Sequence, residues 1–259
     1  MIMNRLMEVF EIFQNREVYF NKISKKEISK RLIFSQIMVI STFVFLYGLV
    51  MGSYLSLVQS LIAGIKLFFL FITTLLICFP SFYIIQLLLG SRLKFYQVII
   101  IILSGFVISS TITLAFAPVV IFFLITGSNY YFLQLLHIAI FCFAGFFGIK
   151  LIIEALKYAC EKENIYPKTG VTVFSVWVVI LAFVGIQLAW NLRPFLGDRG
   201  KEFKLFRNYE GNFYTAIVYS VKQLTGSKSE SQPIPENEIL TDSTNYTIPD
   251  TVELLKELK

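Results

Sequence analysis

Four long runs without a charged side chain constrain this sequence more than any other feature. They comprise residues 32–65, 67–91, 95–149 and 169–192, which are 34, 25, 55 and 24 residues long. About 20 apolar residues are enough to cross a bilayer as a helix. The sequence therefore predicts an all-α polytopic membrane protein.

The composition excludes a soluble globular protein of the same length. Only 15% of the 259 residues are charged and 56% are hydrophobic, whereas a soluble domain has about 25% charged residues. The net charge of +6 would suggest nucleic-acid binding in a soluble chain. In a membrane protein it is better explained by basic loops on the cytoplasmic side.

The charge-free runs predict about five transmembrane helices, at residues 33–53, 63–89, 97–117, 131–153 and 171–192. The third run needs separate treatment, because residues 97–126 would form about 45 Å of helix against a hydrocarbon core of about 30 Å. Pro118 lies inside it. We expect a kinked or ended helix followed by a short tail, not two full spans.

Basic residues alternate between the loops of this five-span arrangement. Seven of them precede the first span, and the second and fourth loops carry two and four, while the first and third loops carry none. This alternation places the N-terminus in the cytoplasm and the chain after Arg193 on the other side. A span count of four or six would reverse the side of the C-terminus.

The segments that flank the spans have distinct patterns. Residues 1–31 combine an apolar stripe (Met3, Leu6, Phe10 and Phe13) with a basic cluster. The pattern predicts an amphipathic helix that either lies on the cytoplasmic leaflet or docks a partner. Residues 193–224 are expected to form an ordered extramembrane cap with a short helix. Residues 225–259 are rich in Ser, Pro, Glu and Asn and are expected to be flexible.

Acidic residues are missing where membrane catalysis would need them. None lies between Glu27 and Glu154 or between Glu163 and Asp198. Proton-coupled pumps and intramembrane aspartyl proteases require buried carboxylates, so both classes are excluded. The single histidine, His137, is expected to bond a neighbouring helix, and the three cysteines are far apart. We predict no enzyme activity, no metal and no cofactor.

Pairs of small residues predict close contacts between helices. Gly48 and Gly52 form one small-xxx-small pair, and Ala144 and Gly148 form another. Such pairs let two helix backbones approach closely. They predict helix packing inside the bundle or, if several copies assemble, contacts between copies.

A weakly polar stripe on the third span has two interpretations. Gly105, Ser109 and Thr113 recur at four-residue spacing, which suits either internal packing or the lining of a water-filled path. Lys66, about a turn into the second span, also has two interpretations. It either extends to the membrane interface or, repeated around an oligomer, favours anions in a pore.

The densest motif begins where the last span ends. Its members are aromatic, basic, glycine, proline and amide residues within 25 positions, namely Trp190, Arg193, Pro194, Phe195, Gly197, Arg207, Gly211, Asn212, Phe213 and Tyr214. A tryptophan at the membrane edge is ordinary anchoring. The rigid Arg-Pro pair and the flanking residues predict a cap folded over the bundle mouth, with Asn212 as the N-cap of a helix.

This WxLRPFxG…GNFY ending resembles that of a family of bacterial multi-pass membrane proteins. The resemblance covers mostly residues 185–220 and carries over no pore or ligand residue. Members of such families are found beside signalling enzymes in defence clusters. The chain is also similar to the membrane effector of the Hailong anti-phage system. That similarity implies an oligomeric ion channel in the bacterial inner membrane, controlled by the product of a nucleotidyltransferase.

Three functions fit the sequence. The first is an oligomeric channel or pore, gated at its basic cytoplasmic surfaces by an anionic ligand or a nucleotide-signalling partner. The second is a non-enzymatic membrane adaptor or scaffold of five-span type. The third is a facilitator-type transporter, which is weakened because inverted-repeat transporters show internal symmetry and this chain has no repeat.

Overall fold

A computed structural model of the chain describes residues 9–25, 30–88, 90, 92–162, 164, 168–197 and 213–225. Within these ranges all regular structure is helical. The segment begins with helical residues 9–14 and α1 (Arg16–Ser24). The remaining helices follow in the order α2 (Lys30–Gly52), α3 (Leu57–Leu88), α4 (Phe95–Ala115), α5 (Ala117–Ile125), α6 (Tyr130–Glu161), α7 (Lys168–Leu192) and α8 (Phe213–Thr225).

Five of these segments are long and apolar enough to cross a membrane, with α4 and α5 counted as one. The all-α polytopic architecture and the five-span count are therefore confirmed. Two spans are longer than predicted, since α3 already begins at Leu57 and α6 continues to Glu161. The extension of α6 keeps a buried face that includes Ala155, Leu156 and Ala159, so packing holds it helical after charged residues reappear.

The third span bends as predicted, but two residues before the proline. α4 ends at Ala115, Phe116 joins the two helices, and Pro118 lies in the first turn of α5. Proline is tolerated in a first turn because the N–H there lacks an intrahelical partner anyway. The break therefore falls before Pro118 and leaves a short tail, not a second full span.

α4 is the central helix of the bundle. In its most apolar window 61% of the residues are buried, against 17% in α7. α4 packs mainly on α2 and α6, α2 packs on α3, and α7 packs on α3 and α6. α7 is therefore the most peripheral span.

The N-terminal segment differs from the predicted single helix. Asn15 interrupts it and caps α1, its side chain accepting a hydrogen bond from the Val18 N–H at 3.3 Å. The buried side chains before the break are Val9 and Ile12, while Phe13 of the predicted stripe is 43% exposed. Residues 1–8, which include the first half of that stripe, lie outside the described residues.

α1 lies against the end of its own bundle. The Tyr19 hydroxyl is 2.8 Å from Ser104 Oγ, and Gln36 Nε2 donates to both oxygens. Gln97 Nε2 donates to the carbonyl of Ile23 at 2.7 Å. The segment thus docks within the chain, and we refer to this side of the bundle as the α1 end.

Candidate functional site

A cavity of about 1250 Å³ lies between α3, α4, α6 and α7. It extends to the end of the bundle opposite α1, where residues 193–196 and α8 also line it; we call this the α8 end. The volume exceeds the ~300–1,000 Å³ typical of pockets for small molecules. Its wall includes Leu70, Phe71, Phe106 and Leu181, so most of the surface is hydrocarbon.

Three hydroxyl groups on the wall, those of Thr74, Ser109 and Thr113, are already used by backbone carbonyls. Thr74 donates to the carbonyl of Leu70 at 2.7 Å, and Thr113 donates to that of Ser109 at 2.8 Å. Ser109 donates across helices to the carbonyl of Ala144 at 3.1 Å. Each proton therefore points at the protein backbone and not at the cavity, which makes the wall less polar than its sequence suggests.

The stripe predicted to line a pore is also a packing seam between α4 and α6. A Cβ added to Gly105 would contact Ile152 and stand 2.9 Å from the carbonyl oxygen of Gly148. A Cβ added to Gly148 would collide with Ser109 Oγ. Gly105, Ser109 and Thr113 do reach the cavity wall, but the α6 backbone covers part of their face.

Gly48 and Gly52 form the corresponding seam between α2 and α3. A Cβ on Gly48 would stand 2.6 Å from the Cα of Gly64, and one on Gly52 would stand 2.6 Å from the Cα of Ser60. Both small-residue pairs therefore face helices of the same chain. This corrects the expectation that copies of the chain could meet through Gly48/Gly52 or Ala144/Gly148, since a second copy has no room there.

Lys66 is directed to the segment after α7. Its side chain is buried, and Nζ donates to the carbonyl of Pro194 at 3.1 Å. Gln59, two turns nearer the start of α3, donates from Nε2 to the carbonyls of Pro194 at 3.2 Å and Phe195 at 2.9 Å. Together, the two side chains fix residues 194–195 against α3. Lys66 is thus a structural donor to this segment.

The first part of the C-terminal motif forms a compact turn at the α8 end. The Arg193 guanidinium carbon lies 3.5 Å from the centroid of the Trp190 ring, within the range of a cation–π interaction. Gly197 has φ +69°, and a Cβ there would stand 2.7 Å from Leu55 Cδ2. Glycine is required on both counts, because the backbone is left-handed and Leu55 leaves no room.

α8 connects the ends of two spans. Phe213 packs edge-on against Trp190 at the end of α7, with ring centroids 6.3 Å apart. Tyr219 packs against Tyr131 in the first turn of α6 at 5.8 Å. Tyr214 is 53% exposed. Of the remaining motif positions, Arg207, Gly211 and Asn212 lie outside the described residues, as does the predicted tail from residue 226 onward.

Two buried polar residues hold helices together near the cavity. His137 Nδ1 lies 2.7 Å from the hydroxyl of Tyr47 on α2, which confirms the predicted bond between helices.

Gln59 was missed by the sequence reasoning, although an amide in a charge-free run is a signal for such a role. Within the described ranges, no three His, Cys, Asp or Glu side chains are grouped so that they could hold a metal ion.

No protein-family model, curated protein or solved structure matches the chain.

Proposed function

We propose that this integral membrane protein binds a membrane amphiphile, a molecule with a long apolar part and a polar head, in the cavity between α3, α4, α6 and α7. The role is binding or transfer without catalysis. The observation that carries the proposal is the wall itself, because Thr74, Ser109 and Thr113 donate to backbone carbonyls. A hydrocarbon-lined space of this size favours an apolar occupant over water.

The position of the cavity supports entry from the bilayer. Cys142 and Phe146 line it and are also exposed on the surface of α6, Phe146 to 63%. Both lie near the middle of the α6 span. Apolar surface at that depth contacts lipid chains, so an amphiphile can reach the cavity without crossing water.

The α8 end supplies the polar surroundings that a head group needs. Arg193, Gln134 and Lys222 line the cavity there. Arg193 is held against Trp190, and Trp and Tyr side chains typically lie at the level of the lipid head groups. The proposed orientation therefore places the apolar part among the spans and the head at the α8 end.

Lipid content of the purified protein tests the proposal. Gly145 lines the cavity, and a Cβ there meets no atom within 4 Å, so Gly145→Phe is chosen to place a ring in the cavity. The matched control is Leu76→Phe, at a position that is 67% exposed and does not line the cavity. Native mass spectrometry and extraction should show lipid retained by the parent and by the control, and reduced in Gly145→Phe. Equal retention in all three would contradict the proposal.

The second candidate function is the oligomeric ion channel suggested by the sequence, including the anti-phage role that the resemblance implies. The observation in its favour is that Gly105, Ser109 and Thr113 reach the cavity wall. Several copies would then assemble through apolar faces other than the glycine seams, under the control of a cytoplasmic anionic ligand or nucleotide-signalling partner. Ion leak from liposomes together with a stable oligomeric mass would favour the channel. A monomer without leak would favour amphiphile binding or the adaptor.

We further propose that the α1 end faces the cytoplasm of a bacterial inner membrane. Lys22, Arg92, Lys94, Lys157 and Lys162 belong to this end. Lys66, Arg193 and Lys222 are the described basic residues of the α8 end. The excess of basic residues at the α1 end supports this orientation through the positive-inside rule.

A further inference from the structure

We infer that α8 is an interfacial helix, embedded in the leaflet at the α8 end, and that the lipid bilayer is the binding partner of its outer face. Tyr214 and Val218 of that face also border the cavity, whereas Val221 does not, so position 221 tests the inference apart from the cavity. It replaces the extramembrane cap suggested by the sequence with a helix that lies at the membrane surface.

α8 has two apolar faces, and only one of them is covered by protein. On the covered face Ser220 is buried and Ala216 is partly buried, and the Ser220 hydroxyl donates to the Ala216 carbonyl at 2.8 Å. On the other face the exposed fractions are 53% for Tyr214, 53% for Val218 and 43% for Val221. The spacing of four and three residues puts these three side chains in one stripe.

Aromatic contacts set the depth of α8. Phe213 and Tyr219 pack against Trp190 and Tyr131, which occupy the end of one span and the start of another. Trp and Tyr residues at the ends of spans form the belt that marks the membrane–water interface. A helix in contact with this belt at two points, six residues apart, lies across the bilayer normal at the level of the interface.

The exposed stripe therefore continues the lipid-facing surface of the spans. Lys222 lies beside this stripe, where a lysine stem can extend toward the head groups. Gln223 is exposed on the opposite side of α8. A second copy of the chain is a less suitable partner for this stripe than the bilayer. A 13-residue helix is about 20 Å long, and one stripe along it is small beside the ~800 Å² per partner buried in a stable interface.

Spin labels on opposite sides of α8 test this placement. Single cysteines are introduced by Val218→Cys and Val221→Cys on the exposed stripe, and by Gln223→Cys as the matched control. The background carries Cys78→Ala, Cys142→Ala and Cys160→Ala. Each protein is reconstituted into phosphatidylcholine vesicles, and collision of the label with oxygen, which partitions into lipid, is compared with collision with a water-soluble nickel chelate.

Labels at positions 218 and 221 should collide more with oxygen than with the chelate, and the label at position 223 should show the reverse. Chelate access at 218 and 221 equal to that at 223 would place α8 in water and overturn the inference. Immobile labels at 218 and 221 that neither reagent reaches, or dipolar coupling between labels of two copies, would mean that protein covers the face and would overturn it as well. Each variant must elute like the parent protein in detergent, so that only folded proteins are compared.

Discussion

Gly148 on α6 lies so close to Ser109 on α4 that any side chain at position 148 would displace the serine hydroxyl. That hydroxyl donates to the carbonyl of Ala144, one turn earlier on α6. The contact of small residues and the hydrogen bond between helices thus depend on each other. They form the seam that attaches α6 to the central helix.

Gly148→Ala should therefore destabilise the protein, by about 1–3 kcal/mol if the cost matches other overpacked interiors. Gly145→Ala is the matched control on the same helix, because a Cβ there meets no atom within 4 Å. Alanine is a better helix former than glycine by about 0.5–1 kcal/mol, so the control should be neutral or stabilised. Thermal unfolding in detergent measures both, and equal melting temperatures would contradict the seam.

Gln59→Leu should loosen the segment after α7. Its amide donates to the carbonyls of Pro194 and Phe195. Lys66 donates to the Pro194 carbonyl and would still hold it in the variant. The Phe195 carbonyl would lose its donor, at a cost of about 1–3 kcal/mol when buried. Hydrogen exchange of residues 195–197 and the melting temperature should both report the change. Gln14→Leu, at an exposed position, should leave both unchanged.

The spans were predictable because a charge-free run longer than 20 residues leaves the chain few alternatives. The glycine pairs also marked close helix contacts, yet periodicity cannot say which helix lies opposite. Gly48 faces α3 and Gly148 faces α4 because of the tertiary arrangement. For the same reason the sequence could not separate a packing seam from a pore-lining face at Gly105 and Ser109.

The cavity and its borders were not predictable. Gln59 and Phe195 are 136 positions apart, and no local pattern relates a glutamine in one span to a carbonyl after another. The N-terminal break was missed because the apolar stripe ends at Phe13 and says nothing about Asn15. The capping role of Asn15 depends on a local turn that competes with the helix. The bend near Pro118, by contrast, followed from the chemistry of proline alone.

Arg193 and Trp190 should be energetically coupled. The guanidinium lies over the indole at 3.5 Å from the ring centroid, and such contacts contribute about 0.5–2 kcal/mol. A double-mutant cycle with Arg193→Ala and Trp190→Leu should return a coupling free energy in that range. Additive losses in the two single variants would mean that each residue acts separately.

The buried network around Tyr19 should stabilise α1 more than its ion pairs do. Tyr19→Phe removes the hydroxyl shared with Ser104 and Gln36, which should cost about 1–3 kcal/mol. The Arg16–Glu154 pair has both side chains more than 40% exposed, so Arg16→Ala should cost less than about 1 kcal/mol. Hydrogen exchange over residues 16–25 compares the stability of α1 in the two variants. Faster exchange in Arg16→Ala than in Tyr19→Phe would contradict this ranking.

Cysteine labelling from outside the cell tests the proposed orientation in the membrane. Ser128→Cys lies in the loop before α6 at the α8 end, and Lys25→Cys lies just after α1 at the other end. In intact cells that produce a chain without native cysteines, an impermeant thiol reagent should label position 128. Position 25 should react only after the cells are permeabilised. Three spans separate the two positions, which must therefore lie on opposite sides of the membrane. Labelling of 25 and not of 128 would invert the assigned orientation, and labelling of both would contradict the five-span topology itself.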